Sequence, residues 1–138
     1  MRIVLDSNVL IPGLVVPGMC KEVVRHCLAR HKVVLSEYIL EEIKRKLVLK
    51  MKLSAGTTDA LLEVLRERIV LVKPAALEES VCRDAKDIPV LGTAVAGAVK
   101  LLISGDQDLL VLGSFQGIAI LPPAEFWRFE RHGAQPNV

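Results

Sequence analysis

The chain has 138 residues, is 51% apolar, and sets 18 Lys+Arg against 16 Asp+Glu for a formal charge of +2. This length suits one domain with its own core, and the composition excludes a disordered chain. The near-neutral balance argues against a nucleic-acid binder that works by bulk charge and leaves only local basic patches for that purpose.

In chain order, residues 2–5 (Arg-Ile-Val-Leu) are a short β-branched run ending at Asp6 and predict a buried strand. Pro12, Gly13, Pro17 and Gly18 mark a connection. From Cys20 the apolar residues at 20, 23, 24, 27 and 28 alternate with charged ones, predicting an amphipathic helix that contains His26 and His31. Residues 33–35 predict a second strand, Ser36 a cap, and residues 37–51 a second helix with Ile39, Leu40, Ile43, Leu47 and Met51 on one stripe. A third helix follows Ala55-Gly56-Thr57-Thr58, and residues 69–72 predict a third strand. The uncharged run 88–99 predicts a buried helix with Pro89 in its first turn. Residues 101–104 and 118–120 predict the fourth and fifth strands, and Pro122-Pro123 opens a last helical turn through Trp127. A polar, loose tail is expected over 128–138, with His132 in it. Short strands alternating with helices predict an α/β layered fold around a mostly parallel sheet of four to five strands.

Cys20, Cys27 and Cys82 are an odd count without zinc-ligand spacing, which points to reduced, buried thiols and a cytoplasmic chain. Asp6 and Asn8 interrupt any secretory core near the start, and the run 88–99 is too short to span a bilayer, so no membrane partner is expected.

In a parallel α/β sheet ligands bind where the strands run out at their carboxyl ends. The first strand ends in Asp6 and the fourth in Gly105-Asp106; Glu42 lies beside the apolar stripe of its helix, and Asp87 precedes the buried helix. With strands one and four side by side, Asp6, Glu42, Asp87 and Asp106 converge on one cleft. Such a set repels itself unless a cation neutralises it, and an all-oxygen donor set suits Mg²⁺ or Mn²⁺ rather than zinc. Metal-assisted phosphodiester hydrolysis is the chemistry that suits this arrangement. Each acid also has a plainer role: Asp6 closing a turn, Glu42 pairing with Lys46, Asp87 and Asp106 capping helices, Asp108 doing the same, and Asn8 satisfying a loop. The set, rather than any member, carries the reading.

The segments 5–10 (Leu-Asp-Ser-Asn-Val-Leu), 36–43 (Ser-Glu-Tyr-Ile-Leu-Glu-Glu-Ile), 84–91 (Asp-Ala-Lys-Asp-Ile-Pro-Val-Leu) and 104–110 (Ser-Gly-Asp-Gln-Asp-Leu-Leu) occur in this order. Together they resemble the PIN-domain family, in particular its toxin-like branch from prokaryotic toxin–antitoxin systems. The resemblance covers residues 1–127 and implies a three-layer α/β/α sandwich with Mg²⁺- or Mn²⁺-dependent ribonuclease activity. By position it makes Asp6, Glu42, Asp87 and Asp106 the catalytic metal-site acids and Asp108 a less constant fifth, with Asn8 and Ser104 in support. It also implies a small antitoxin protein and a second copy of the chain as partners, besides the RNA substrate. Where the family often has an Ala-Asp pair before the fourth strand, this sequence has Val99-Lys100. Lys100 is read here as a residue that begins the strand.

Lys44, Arg45 and Lys46 open a basic run that reaches Lys52 and are candidates for contact with an RNA backbone; a solvated helix face is the plainer reading. Two rival functions stay open at this stage. One is a PIN-like module that binds RNA or a partner with weak or no catalysis. The other is a phosphoryl-group enzyme or receiver, against which stand Asn8 two residues after Asp6 and Val72-Lys73 at the end of the third strand.

Overall fold

The computed structural model describes residues 1–132. Six strands form one sheet: β1 (Arg2–Leu5), β2 (Lys32–Leu35), β3 (Val70–Leu71), β4 (Leu101–Ile103), β5 (Ser114–Phe115) and β6 (Ile118–Leu121). The spatial order is β3-β2-β1-β4-β6-β5, parallel throughout except for the β5–β6 pair. Ile3, Val4, Leu5, Leu101, Leu102 and Ile103 have no solvent exposure, as expected of central parallel strands covered on both faces.

The helices are α1 (Ser7–Val15), α2 (Met19–Arg30), α3 (Glu37–Leu49), α4 (Ala55–Arg66), α5 (Ile88–Ala96), α6 (Gln107–Leu110) and α7 (Phe126–His132). The chain leaves β1 toward β2 and β3 on one side, then returns past them to β4 on the other. Right-handed crossovers therefore put α1–α4 on one face of the sheet and α5 on the opposite face, giving the α/β/α layering. The sheet has one strand more than the sequence reading allowed. That strand is β5, two residues joined to β6 by Gln116 (φ 49°) and Gly117 (φ 80°), the positive-φ pair a tight two-residue hairpin demands.

The expected connection over 12–18 is instead mostly helix. Pro12 and Gly13 lie inside α1, and only the segment around Pro17 and Gly18 (φ 141°) breaks the chain before α2. Gly13 is needed for packing: a Cβ there would stand 2.4 Å from Val24 Cγ2 of α2. Arg128–His132, expected as the start of a loose tail, are helical instead. Helix α7 extends across Arg128–His132, with Phe126 fully buried at its start; residues 133–138 lie outside the described part. His31 does not belong to α2 but caps its end in extended backbone, and His132 closes α7. Cys27 and Cys82 are buried and Cys20 is half-buried, all as free thiols. Among the described residues no single helix is long and apolar enough to cross a membrane.

Candidate metal centre

Strands β1 and β4 are neighbours at the point where the strand order reverses, and the carboxyl ends of β1, β4 and β6 are in register through Leu5, Ile103 and Leu121. Asp6 and Asp106 therefore flank the crevice at which open α/β sheets bind ligands. The Asp6 backbone N–H donates to the Ile103 carbonyl at 3.0 Å, so its position is set by the sheet itself.

Two loops are then tied together by side chains. Asp6 Oδ1 accepts the Ser7 N–H at 2.7 Å, which caps α1; Oδ2 accepts the Ser104 hydroxyl at 2.8 Å and the Asn8 amide at 3.3 Å. Asn8 Oδ1 accepts the Gly105 N–H at 2.9 Å, and Ser104 Oγ accepts the Asp106 N–H at 3.0 Å. Asp106 caps α6 through an N–H···Oδ1 bond from Asp108 at 2.9 Å. The plainer role of Asp106 as a cap is thus realised, Asp6 caps α1 rather than only closing a turn, and both acids still line the cleft.

Asp87 differs. It stands at the start of α5 and makes no capping bond, it is only 6% exposed, and its Oδ2 is buried without a partner among the described residues. A buried, unpaired carboxylate oxygen is costly unless something outside the chain satisfies it. Burial, together with the charges of Asp106, Asp6 and Asp84, pushes its carboxyl up to about 7. Burial also raises Asp6 above the usual carboxylate range, against the lowering effect of its Ser104 and Ser7 bonds. Glu42 goes the other way: burial raises it, but Lys46 (3.0 Å) and Arg45 (3.2 Å) outweigh that and hold it below its ordinary value.

The placement of Glu42 and Asp87 depends on the α3–α5 junction. Ser36 caps α3 and is fully buried, and Thr93 of α5 donates to its hydroxyl at 2.8 Å. On the cleft side the Tyr38 hydroxyl donates to the Lys86 carbonyl at 2.8 Å.

The resulting cleft of about 320 Å³ is lined by five carboxylates (Asp6, Glu42, Asp84, Asp87, Asp106) and four cations (Arg45, Lys46, Lys50, Lys86), with Asn8 and Tyr38. It brings together four expected acids and Asn8, with Arg45 and Lys46 at the same surface. Ser104 sits behind Asp6 with no exposure. Asp108 is not in the lining: it pairs with Arg83 at 3.2 Å, although its carboxylate lies within 4.8 Å of those of Asp84 and Asp87. Lys44 is not in the lining either and pairs with Asp59 at 3.2 Å. Sequence reasoning did not single out Asp84, Tyr38 and Lys86. The signal for Asp84 is its spacing from Asp87, because a 3₁₀ turn over Ala85–Asp87 stacks residues three apart on one side. Lys100 sits at the amino end of β4, its backbone bonded to Arg2 at the opposite edge of the sheet, and is absent from the cleft.

The donor set is all oxygen and one of its two buried members, Asp87, has an orphaned atom, which fits a hard divalent cation.

Comparison with known proteins agrees with this architecture. A chain of a crystal structure of VapBC2 from Rickettsia felis, bound to a DNA fragment from its promoter, superposes with a TM-score of 0.61 at 11% identity, covering 88% of this chain and 98% of that one. A chain of FitAcB from Neisseria gonorrhoeae gives 0.56 at 17% identity, again with 88% and 98% covered. No curated protein matches the sequence. A PIN domain model matches residues 2–108, from the first residue of β1 to the acids that follow β4. The chain belongs to the PIN domain family.

Proposed function

We propose that the chain is a Mg²⁺- or Mn²⁺-dependent ribonuclease that hydrolyses RNA phosphodiester bonds. The observation that carries this reading is the convergence of Asp6, Glu42, Asp87 and Asp106 on one cleft around the unpaired Asp87 oxygen. In this reading these four acids hold the cation, with Asp108 at the margin beside Asp84 and Asp87. Bound there, the cation supplies an activated water and neutralises charge on the phosphoryl group. Asn8 and Ser104 fix the Asp6 carboxylate, so that its geometry is set before substrate arrives. Arg45, Lys46, Lys50 and Lys86 give the same cleft the positive charge that a phosphodiester backbone requires. Lys44 takes part only if its pair with Asp59 opens.

The likeness to the VapBC2 and FitAcB assemblies supports a further element of this reading, that the chain is the toxin of a toxin–antitoxin pair with a small antitoxin as partner. A second copy of the chain is the other proposed partner, and the cytoplasm the proposed compartment.

The reading is tested by cleavage of a single-stranded RNA and by thermal melts of the same preparation. Millimolar Mn²⁺ is expected to support cleavage and to raise Tm by several degrees over EDTA, since a ligand of the native state stabilises it. Absence of both effects would overturn the proposal.

Lys100 provides a second check. Because it lies at the edge of the sheet away from the acids, Lys100→Asp is expected to leave cleavage within about three-fold of wild type, as for a surface change remote from the site. A gain of ten-fold or more would mean that this lysine weakens the metal centre, and would favour the rival reading of a binding module with little catalysis.

A further inference from the structure

A second cluster of metal-ligating side chains lies at the other edge of the sheet. His26 is on α2, His31 caps the end of α2, and Glu130 is on α7, about a hundred residues away in sequence. His26 Nε2 lies 2.5 Å from Glu130 Oε2, while His31 Nε2 lies 2.9 Å from Oε1 and 3.2 Å from Oε2. His31 immediately precedes β2, whose first residue pairs with Arg2 at the start of β1, whereas Asp6 follows the end of β1. The cluster therefore sits a strand's length from the acidic cleft.

We propose that His26, His31 and Glu130 form a separate site for a borderline divalent cation of the Zn²⁺ type.

Three features carry this. The donor atoms come from two distant segments and lie within 4.8 Å of one another. Both imidazoles turn the same nitrogen toward one carboxylate, whereas a single histidine would suffice to anchor α7. The side chains are half-sheltered, at 27%, 13% and 25% exposure. Around them the His26 ring meets Trp127 at 4.9 Å and Phe126 at 5.7 Å between centroids, in edge contacts that fix its plane. Two imidazoles and a carboxylate are a donor set for zinc with a fourth position left to water, and a poor one for Mg²⁺. The acidic cleft has the opposite preference, so the two sites discriminate between cations by chemistry.

Ligands of a tetrahedral zinc at 2.0–2.1 Å stand about 3.3 Å apart. Loading thus requires the His26–Glu130 contact to open by under about 1 Å and the His31 contacts by tenths. A neutral imidazole that ligates through Nε2 carries its proton on Nδ1. The consequence for the fold is that the cation fastens α7 onto α2 and the start of β2.

The test uses the full chain with Co²⁺ as a spectroscopic probe, with millimolar Mg²⁺ in large excess to compete for the acidic carboxylates. One equivalent of Co²⁺ is expected to give visible bands of tetrahedral intensity without sulfur charge-transfer absorption, and Zn²⁺ to displace it. Glu130→Gln and His26→Gln are each expected to weaken uptake by about 100-fold or more, exceeding the loss usual for a supporting residue. His26→Gln retains the His31–Glu130 contact, so it keeps α7 docked and guards against a mere folding defect. Zn²⁺ is also expected to raise the Tm of the wild type by several degrees and not that of His26→Gln. No tetrahedral signal in the wild type, a thiolate signature, or undiminished uptake in the variants would overturn the proposal and leave the cluster as a hydrogen-bonded anchor.

Discussion

Replacing Asp6 by asparagine is expected to leave the chain folded and to lower Mn²⁺-dependent cleavage of single-stranded RNA by at least about 100-fold, the scale set by losing a direct ligand rather than a supporting one. Asparagine keeps the shape and can still accept the Ser7 N–H that caps α1. The second position changes more, because an amide group there faces the Asn8 amide, also a donor, and the Ser104 hydroxyl, which must turn to accept. Against that cost stands the removal of a charge that burial already disfavours at this position. The two effects oppose each other, so the melt of the metal-free protein should move by only a few degrees. A turn-closing role predicts a different pair of results, with fold and cleavage both retained. Measuring the melt and the cleavage rate on one preparation separates the cases. A variant that cuts at the wild-type rate would remove Asp6 from the metal site, and the proposed mechanism with it.

How much of this was legible in the sequence follows from how each feature is encoded. After Arg2 and Lys32, strands β1 and β2 are continuous apolar runs, as is β4, because both faces are covered, and these runs end abruptly at Asp6, Ser36 and Ser104. Acids just beyond such ends are visible without any knowledge of topology. Helix α1 was not visible, because Pro12 and Gly13 are the usual marks of a connection. Both lie inside the helix, and Gly13 is required there by the close approach of Val24 from α2, a tertiary fact. Helix α5 stops at Ala96 rather than Val99, since Ala98 takes φ 49° and turns the chain into β4. The uncharged run thus continued past a backbone reversal that hydrophobicity does not record. The same distinction governs the sites. Glu42 could be aligned with Asp6 from helical spacing, whereas Tyr38 reaches Lys86 only after α3 and α5 have docked. The His26–Glu130 contact joins positions 104 apart, beyond the reach of any local pattern.

Asp87→Asn is expected to stabilise the metal-free protein at pH 8 and to leave it nearly unchanged at pH 4. The folded chain holds this carboxyl at about 7 against an ordinary value of 3.8, because of burial and the neighbouring charges of Asp106, Asp6 and Asp84. From pH 4 to 7 the folded state therefore keeps a proton that the unfolded chain has lost. Stability must fall as pH rises through that window, with a slope of at most about 1.4 kcal/mol per pH unit for one proton. Above pH 7 both states are ionised and the penalty is constant; below pH 4 both are protonated and it vanishes. The cleft mouth is open to water, which screens part of the cost, so a gain of about 1–2 kcal/mol at pH 8 is the reasonable scale. That corresponds to roughly 3–8 °C in Tm for a chain of this size. Mn²⁺ should reverse the order: the wild type gains stability from the ion, and the variant, lacking the ligand, gains little. An Asp87→Asn variant less stable than wild type at pH 8 without metal would mean that this carboxylate is an anchor within the fold. A variant that still gained as much from Mn²⁺ would mean that the ion is held by other acids.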